Sequence, residues 1–163
     1  MLTFIWDTHL TFGSKTILFL ATGCGIGRLP KGSGTFGTFL GIPLAYGISL
    51  LSWPKAVIAT LLIIVFSILI AHIAEKALGK KDPGMVVIDE IVGMMVTLSG
   101  LENDWAVIIL GFIFFRTLDI FKPFPIGWLD LKLSGGVGIV ADDIAAGVMS
   151  NILLQLGLYI IGR

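Results

Sequence analysis

Five apolar stretches, at 36–53, 56–73, 84–101, 104–121 and 137–161, leave this chain few ways to fold. A helix that crosses the hydrocarbon core of a bilayer needs roughly 17–25 mostly apolar residues, and each stretch comes near that length. The connections between them are short, so neighbouring segments run antiparallel. The expected fold is all-α, a polytopic membrane bundle of about five spanning helices. Residues 15–21 are too few to span and lead into the glycine-rich "TGCGIGRLPKGSGTFGT". That pattern predicts an N-terminal interfacial or re-entrant helix followed by a loop. No internal repeat, low-complexity tract or linker divides the 163 residues, so one domain over 1–163 is expected.

Composition agrees with a membrane setting. The chain is 56% hydrophobic and 13% charged, with a mean hydropathy of +0.99; a soluble domain carries about a quarter charged residues. A formal net charge of zero argues against nucleic acid, which calls for a basic stripe, and makes lipid the expected partner. The single cysteine, Cys24, allows no internal disulfide and no multi-cysteine metal site; it is read as a small packed residue. His72 is read as interfacial, and neither it nor His9 is given a role. Trp6, Trp53, Trp105 and Trp128 fall near the expected interfaces, as in an aromatic belt. The first residues lack the pattern of a cleaved signal peptide. Gly41, Ala45 and Ser49, four apart, offer a helix-packing face. Its partner is either another helix of this chain or a second copy, which would make a homodimer.

Following the alternation of spans sorts the loops by side. The loops at 22–35, 74–83 and 122–136 share one side, and they carry Arg28, Lys31, Lys76, Lys80, Lys81, Lys122 and Lys132. Lys55 and Arg163 fall on the other. By the positive-inside rule the first side is cytoplasmic.

The same alternation brings charges within the spans to one depth. Asp89 and Glu90 lie five or six residues into a segment that starts on that side. Arg116 and Asp119 lie near the end of one that finishes there, and Asp142 and Asp143 just inside another that starts there. At 1.5 Å rise per residue the carboxylates sit roughly 5–10 Å below their helix ends. An unpaired ion facing lipid at such depth costs on the order of a few kcal/mol. They are expected to face one another, water or a cation.

The surrounding residues favour close approach. Gly93 follows Asp89 by four and Gly147 follows Asp143 by four, so each acid shares a helix face with a glycine. In "FRTLDIFKPFP", Arg116, Asp119 and Lys122 form a slowly drifting cation–anion–cation stripe, which Pro123 ends. This mixture suits a phosphate ester bound through a hard metal, with carboxylates on the ion and Arg116 and Lys122 on phosphate oxygens. "SGGVGIVADD" and "KGSGTFGT" run through glycines into helices whose exposed N–H groups favour phosphate, although neither is a nucleotide-binding loop. "CGIGR" is too short for a cysteine-phosphatase loop, no D-x-D motif is present, and the histidines are not placed for a phosphohistidine. Metal-assisted hydrolysis remains, with Glu90 or one of Asp142 and Asp143 as general base.

These residues resemble the bacterial phosphatidylglycerophosphatase A family. The resemblance covers roughly residues 20–150 in four ordered blocks: "GTFGT", Asp82 followed by "VVIDEIVGM", "FRTLDIFKPFPIGWLD" and "GGVGIVADDIAAGV". It implies a magnesium-dependent enzyme of the inner membrane that converts phosphatidylglycerophosphate to phosphatidylglycerol and inorganic phosphate. Carried over block by block, the family's positions fall on Asp82, Asp89, Glu90, Arg116, Asp119, Lys122, Asp130, Asp142 and Asp143, with Gly34 and Thr35 from the first block. The expected roles are metal binding by Asp82, Asp89, Asp119 and Asp143, and catalysis by Asp89, Glu90, Asp142 and Asp143. Arg116, Lys122, Gly34 and Thr35 are expected to bind phosphate, with Asp130 an additional candidate. Ser33 stands where proline would be expected, which bears on the rigidity of that loop and not on the carboxylates.

Other readings compete. Asp89 and Glu90 would be structural if they only paired with Arg116 or Lys122, and Asp142 and Asp143 if they only answered a helix dipole. A CDP-alcohol phosphatidyltransferase would carry D-G-x-x-A-R, which is absent. A small cation transporter or channel subunit would place acids along a whole path, whereas the opposite half of every expected span is nearly uncharged.

Overall fold

The computed structural model describes residues 12–162, and among them every regular element is helical. The helices are α1 (Phe12–Ala21), α2 (Ser33–Ser49), α3 (Trp53–Leu78), α4 (Ile88–Leu98), α5 (Trp105–Phe121), α6 (Ile126–Lys132) and α7 (Gly135–Ile160), with a 3-10 turn at Ile26–Arg28. Trp6, His9 and Arg163 lie outside the described residues.

Local chemistry sets the ends. Pro54 opens α3, and Gly79 closes it in the left-handed region at φ 60°. Asp104 caps α5 by accepting the Ala106 N–H at 2.8 Å. At its other end Lys122 turns left-handed, φ 45°, with its N–H on the Leu118 carbonyl, immediately before Pro123.

Two helices, α3 and α7, are long and apolar enough to cross a membrane. Each has 26 residues, or roughly 39 Å of rise. The expectation of five spans is not supported. α2 and α5 have 17 residues each, and α4 has 11, roughly 16 Å against a hydrocarbon core of about 30 Å. The stretch 84–101 is apolar for another reason: α4 is the central post of the bundle, packed by α2, α3, α5 and α7. Met94 and Met95 on it are completely buried. Its apolar character therefore answers protein, whereas α3 leaves Leu61, Leu62, Val65, Phe66 and Leu69 exposed, on a helix long and apolar enough to cross a membrane.

Glycines let the post come close. A Cβ on Gly41 of α2 would stand 2.5 Å from the Ile91 carbonyl oxygen of α4, and one on Gly147 of α7 would stand 2.5 Å from that of Gly93. Ala45 packs with Val92 and Met95, and the Ser49 hydroxyl accepts from Asn103 Nδ2 at 2.8 Å. The small-residue face of α2 thus has its partner inside the same chain and supplies no argument for a homodimer. The N-terminal helix, α1, lies against α3 and buries Leu18 and Ala21. Cys24, expected to be packed, is exposed in the turn that follows, at φ 59°.

Candidate active site

The first turn of α4, the end of α5, α6 and the first turns of α7 meet at one end of the bundle around a cavity of about 160 Å³. Asp89, Glu90, Asp119, Lys122, Asp130, Asp142 and Asp143 all line it. Asp82 lines it too, from the loop before α4, where it takes the left-handed conformation at φ 43° and donates its backbone N–H to Glu75 Oε1 at 3.4 Å. Of the six charges expected at one depth, Asp89, Glu90, Asp119, Asp142 and Asp143 line this cavity, and Arg116 stands beside it on Asp119.

Within this group the contacts are specific. One oxygen each from Asp89, Glu90 and Asp143 can be chosen so that all three lie within 4.8 Å of one another. Arg116 Nη1 pairs with Asp119 Oδ2, three residues along α5. Lys122 leaves the helical stripe and reaches elsewhere, donating to Asp142 Oδ2 at 2.7 Å and standing 3.1 Å from Asp130 Oδ2. The left-handed cap at Lys122 is what ends that stripe. Burial alone would lower the Lys122 pKa, but the hydrogen bond and charge of Asp142, with those of Asp130, outweigh it and hold the ammonium above the ordinary lysine range.

Asp89, Asp142 and Asp143 are buried, at 9%, 5% and 3% exposure. Buried polar atoms are nearly always hydrogen-bonded. Here Asp89 Oδ1, Glu90 Oε2, Asp142 Oδ1 and Asp143 Oδ2 have no hydrogen-bond partner. Eight carboxylates line the cavity, those of Glu75, Asp82, Asp89, Glu90, Asp119, Asp130, Asp142 and Asp143, against two lysines, Lys81 and Lys122; Lys122 is engaged by Asp130 and Asp142, and Arg116 beside the cavity by Asp119. Such a donor set, all carboxylate oxygen and short of positive charge, fits a hard divalent cation. Glu90 belongs to the converging trio, while Asp119 is held by Arg116 and Asp82 stands outside it in the loop.

Of the first block, Gly34 reaches the site and Thr35 does not line the cavity. A Cβ on Gly34 would overlap Glu90 Oε1 and lie 3.2 Å from both Nη atoms of Arg116. Only hydrogen at that position lets α2 touch the pair. Ser33 donates to the Gly84 carbonyl at 3.0 Å, a side-chain tie holding the loop at the place where proline was expected.

Glu75, Lys81 and Ser134 also line the cavity and were not selected from sequence. Glu75 is three residues from His72, on the same face of α3. His72 Nδ1 accepts the Gly136 N–H at 3.4 Å. A Cβ on Gly136 would stand 2.7 Å from the His72 backbone nitrogen and one on Gly135 3.0 Å from its Nδ1, so these two glycines of "SGGVG" serve close packing of α7 on α3. The signal that could have found Glu75 is that it is the one acid of α3.

Comparisons with known proteins identify the family. The family described as Phosphatidylglycerophosphatase A matches residues 19–158. The chain is similar to the Phosphatidylglycerophosphatase A of Escherichia coli strain K12, 41% identical over 140 residues, covering 85% of this chain and 81% of that one. It is also similar to the protein of that name from Haemophilus influenzae, 34% identical over 142 residues, covering 85% and 86%. A Bacteroides thetaiotaomicron protein provisionally named a phosphatidylinositol-3-phosphatase is 35% identical over 155 residues, covering 89% and 95%. No solved structure matches the chain.

Proposed function

Because the chain belongs to the phosphatidylglycerophosphatase A family, we propose that it hydrolyses the terminal phosphomonoester of phosphatidylglycerophosphate, giving phosphatidylglycerol and inorganic phosphate. The observation that carries the reading is the convergence of Asp89, Glu90 and Asp143 beside Arg116 and Lys122 at one end of an apolar bundle.

Asp89, Glu90 and Asp143 would hold Mg2+. The ion would supply charge neutralisation at the phosphate and would lower the pKa of a water it binds. Arg116, aligned by Asp119, and Lys122, aligned by Asp130 and Asp142, meet the phosphate oxygens. Asp142 stands outside the trio, with Oδ2 on Lys122 and Oδ1 buried without a partner. It is the carboxylate we assign to accept the proton of the attacking water. Gly34 keeps Glu90 and Arg116 in register by leaving space for both.

A substrate with its phosphate in water and its acyl chains in lipid needs a site at headgroup depth. We place this one on the cytoplasmic side of the inner membrane, where the basic residues of its loops would draw in anionic lipid. An acidic cluster confined to one end also favours an enzyme over a cation conduit.

The test is a substrate panel offered to the purified protein in mixed micelles: phosphatidylglycerophosphate, phosphatidic acid and phosphatidylinositol 3-phosphate. Fastest phosphate release from phosphatidylglycerophosphate is expected. A clear preference for the inositol lipid would overturn the substrate assignment and favour the activity named for the Bacteroides relative.

A further inference from the structure

The corner that joins α5 to α7 combines strong apolar exposure with direct access to the acids. Phe121, Phe124 and Leu131 are 79%, 81% and 83% exposed, and Trp128 is 52% exposed. Phe124 lies past the end of α5, and Trp128 and Leu131 lie on the short α6, so the faces of α3 and α7 that need lipid do not account for them. Ile126 is completely buried in a cluster with Met94, Phe115 and Ala146, and a Cβ on Gly127 would stand 2.7 Å from the Lys122 carbonyl oxygen, which seats α6 firmly on the end of α5. Exposed side chains of this size on a seated element imply an apolar medium around them.

The same few residues carry the polar path inward. Lys122 lies between Phe121 and Phe124 in sequence and bonds Asp142; Asp130 precedes Leu131 and pairs with Lys122. The Lys122 side chain is 31% exposed, against 7% for that of Asp142. A group passing Lys122 thus moves from the surface to a buried carboxylate within one side chain's length. Lys132, exposed at the last residue of α6, puts a second cation on the same short helix.

We propose that the α5–α6 corner is the lateral portal for the lipid substrate. The acyl chains remain against Phe121, Phe124, Trp128 and Leu131 at the bilayer surface, while the phosphomonoester turns inward past Lys122. The proposal rests on the phosphatase reading and adds the route by which a two-chain lipid reaches a cavity inside the protein. The occupant is an anionic diacyl phosphomonoester, selected over a zwitterionic lipid by Lys122 and Lys132.

The portal can be tested without turnover. In a protein retaining Trp128 alone, with Trp6, Trp53 and Trp105 changed to Phe, tryptophan fluorescence is followed in phosphatidylcholine vesicles with EDTA. The vesicles contain chain-brominated phosphatidic acid or, at the same mole fraction, chain-brominated phosphatidylcholine. Several-fold stronger quenching by the brominated phosphatidic acid is expected, and Phe124→Ser with Leu131→Ser should abolish that preference. Equal quenching by both lipids would reduce the corner to ordinary lipid contact, and absence of quenching would put it out of the membrane; either overturns the portal. In hydrolysis assays the same double variant should raise KM several-fold for bilayer-embedded phosphatidylglycerophosphate. It should leave turnover of a short-chain, water-soluble analogue unchanged. If the unaltered protein releases phosphate from neither, the phosphatase reading fails while the quenching preference still decides the portal.

Discussion

The backbone of Gly34 lies against the carboxylate of Glu90, close enough that a Cβ would overlap Oε1. The overlapping atom is the far end of a flexible side chain, so the fold can yield where the site cannot. Gly34→Ala should fold with little change in Tm but displace Glu90 and crowd Arg116. A misplacement of about 1 Å can cost on the order of 100-fold in rate, and a loss of that order in kcat/KM is expected. Near-normal kinetics would remove Gly34 from the site.

At the crossing of α4 and α7 the obstacle is backbone. A Cβ on Gly147 would lie 2.5 Å from the Gly93 carbonyl oxygen, which cannot swing away, so Gly147→Ala must part the helices. Overpacking of this kind costs about 1–3 kcal/mol. Gly47, with nothing within 4 Å of its would-be Cβ, is the control; alanine there should raise helix stability by up to ~1 kcal/mol. Thermal unfolding of both variants in one detergent checks the contrast.

Lys122 is the titrating group with a definite sign. Its folded pKa is raised above the unfolded value. Its stabilising contribution is therefore fully present below the unfolded lysine pKa of about 10.4 and is lost as pH climbs through the raised folded value. The Tm difference between the unaltered protein and Lys122→Met should stay constant over the neutral range and narrow only at strongly alkaline pH. A difference that closes near neutrality would mean that Asp142 and Asp130 do not hold the ammonium.

How much of this was legible in the sequence depends on what each signal reports. The gathering of Asp89, Glu90, Arg116, Asp119, Asp142 and Asp143 was readable because chain reversals and helix rise fix depth. The span count was not, because hydropathy reports burial without saying whether lipid or protein does the burying. Met94 and Met95 are apolar for α4's neighbours, and α4 ends at Leu98, just before the left-handed Gly100. Pairings within the cluster were hidden as well. Lys122 looked like a continuation of the Arg116–Asp119 stripe until its cap geometry turned it toward Asp142. Glu75 escaped because a single acid near a helix end resembles a solvated one.

The proposed orientation is open to chemical labelling. Cys24 is exposed and must first be changed to Ser. A cysteine replacing Lys80 should then react with a membrane-impermeant thiol reagent only when the cytoplasmic face is accessible. Labelling from outside intact cells would invert the orientation.

The central claim is that Asp89, Glu90 and Asp143 form the hydrolytic centre of a magnesium-dependent lipid phosphatase. The most direct test measures phosphate release from phosphatidylglycerophosphate by the purified protein and by Asp89→Asn and Asp143→Asn, each with Mg2+ and with EDTA. Release by the unaltered protein only with Mg2+, and loss of nearly all turnover in both variants at unchanged expression, is the expected result. Undiminished release in EDTA, or normal rates in both variants, would contradict it.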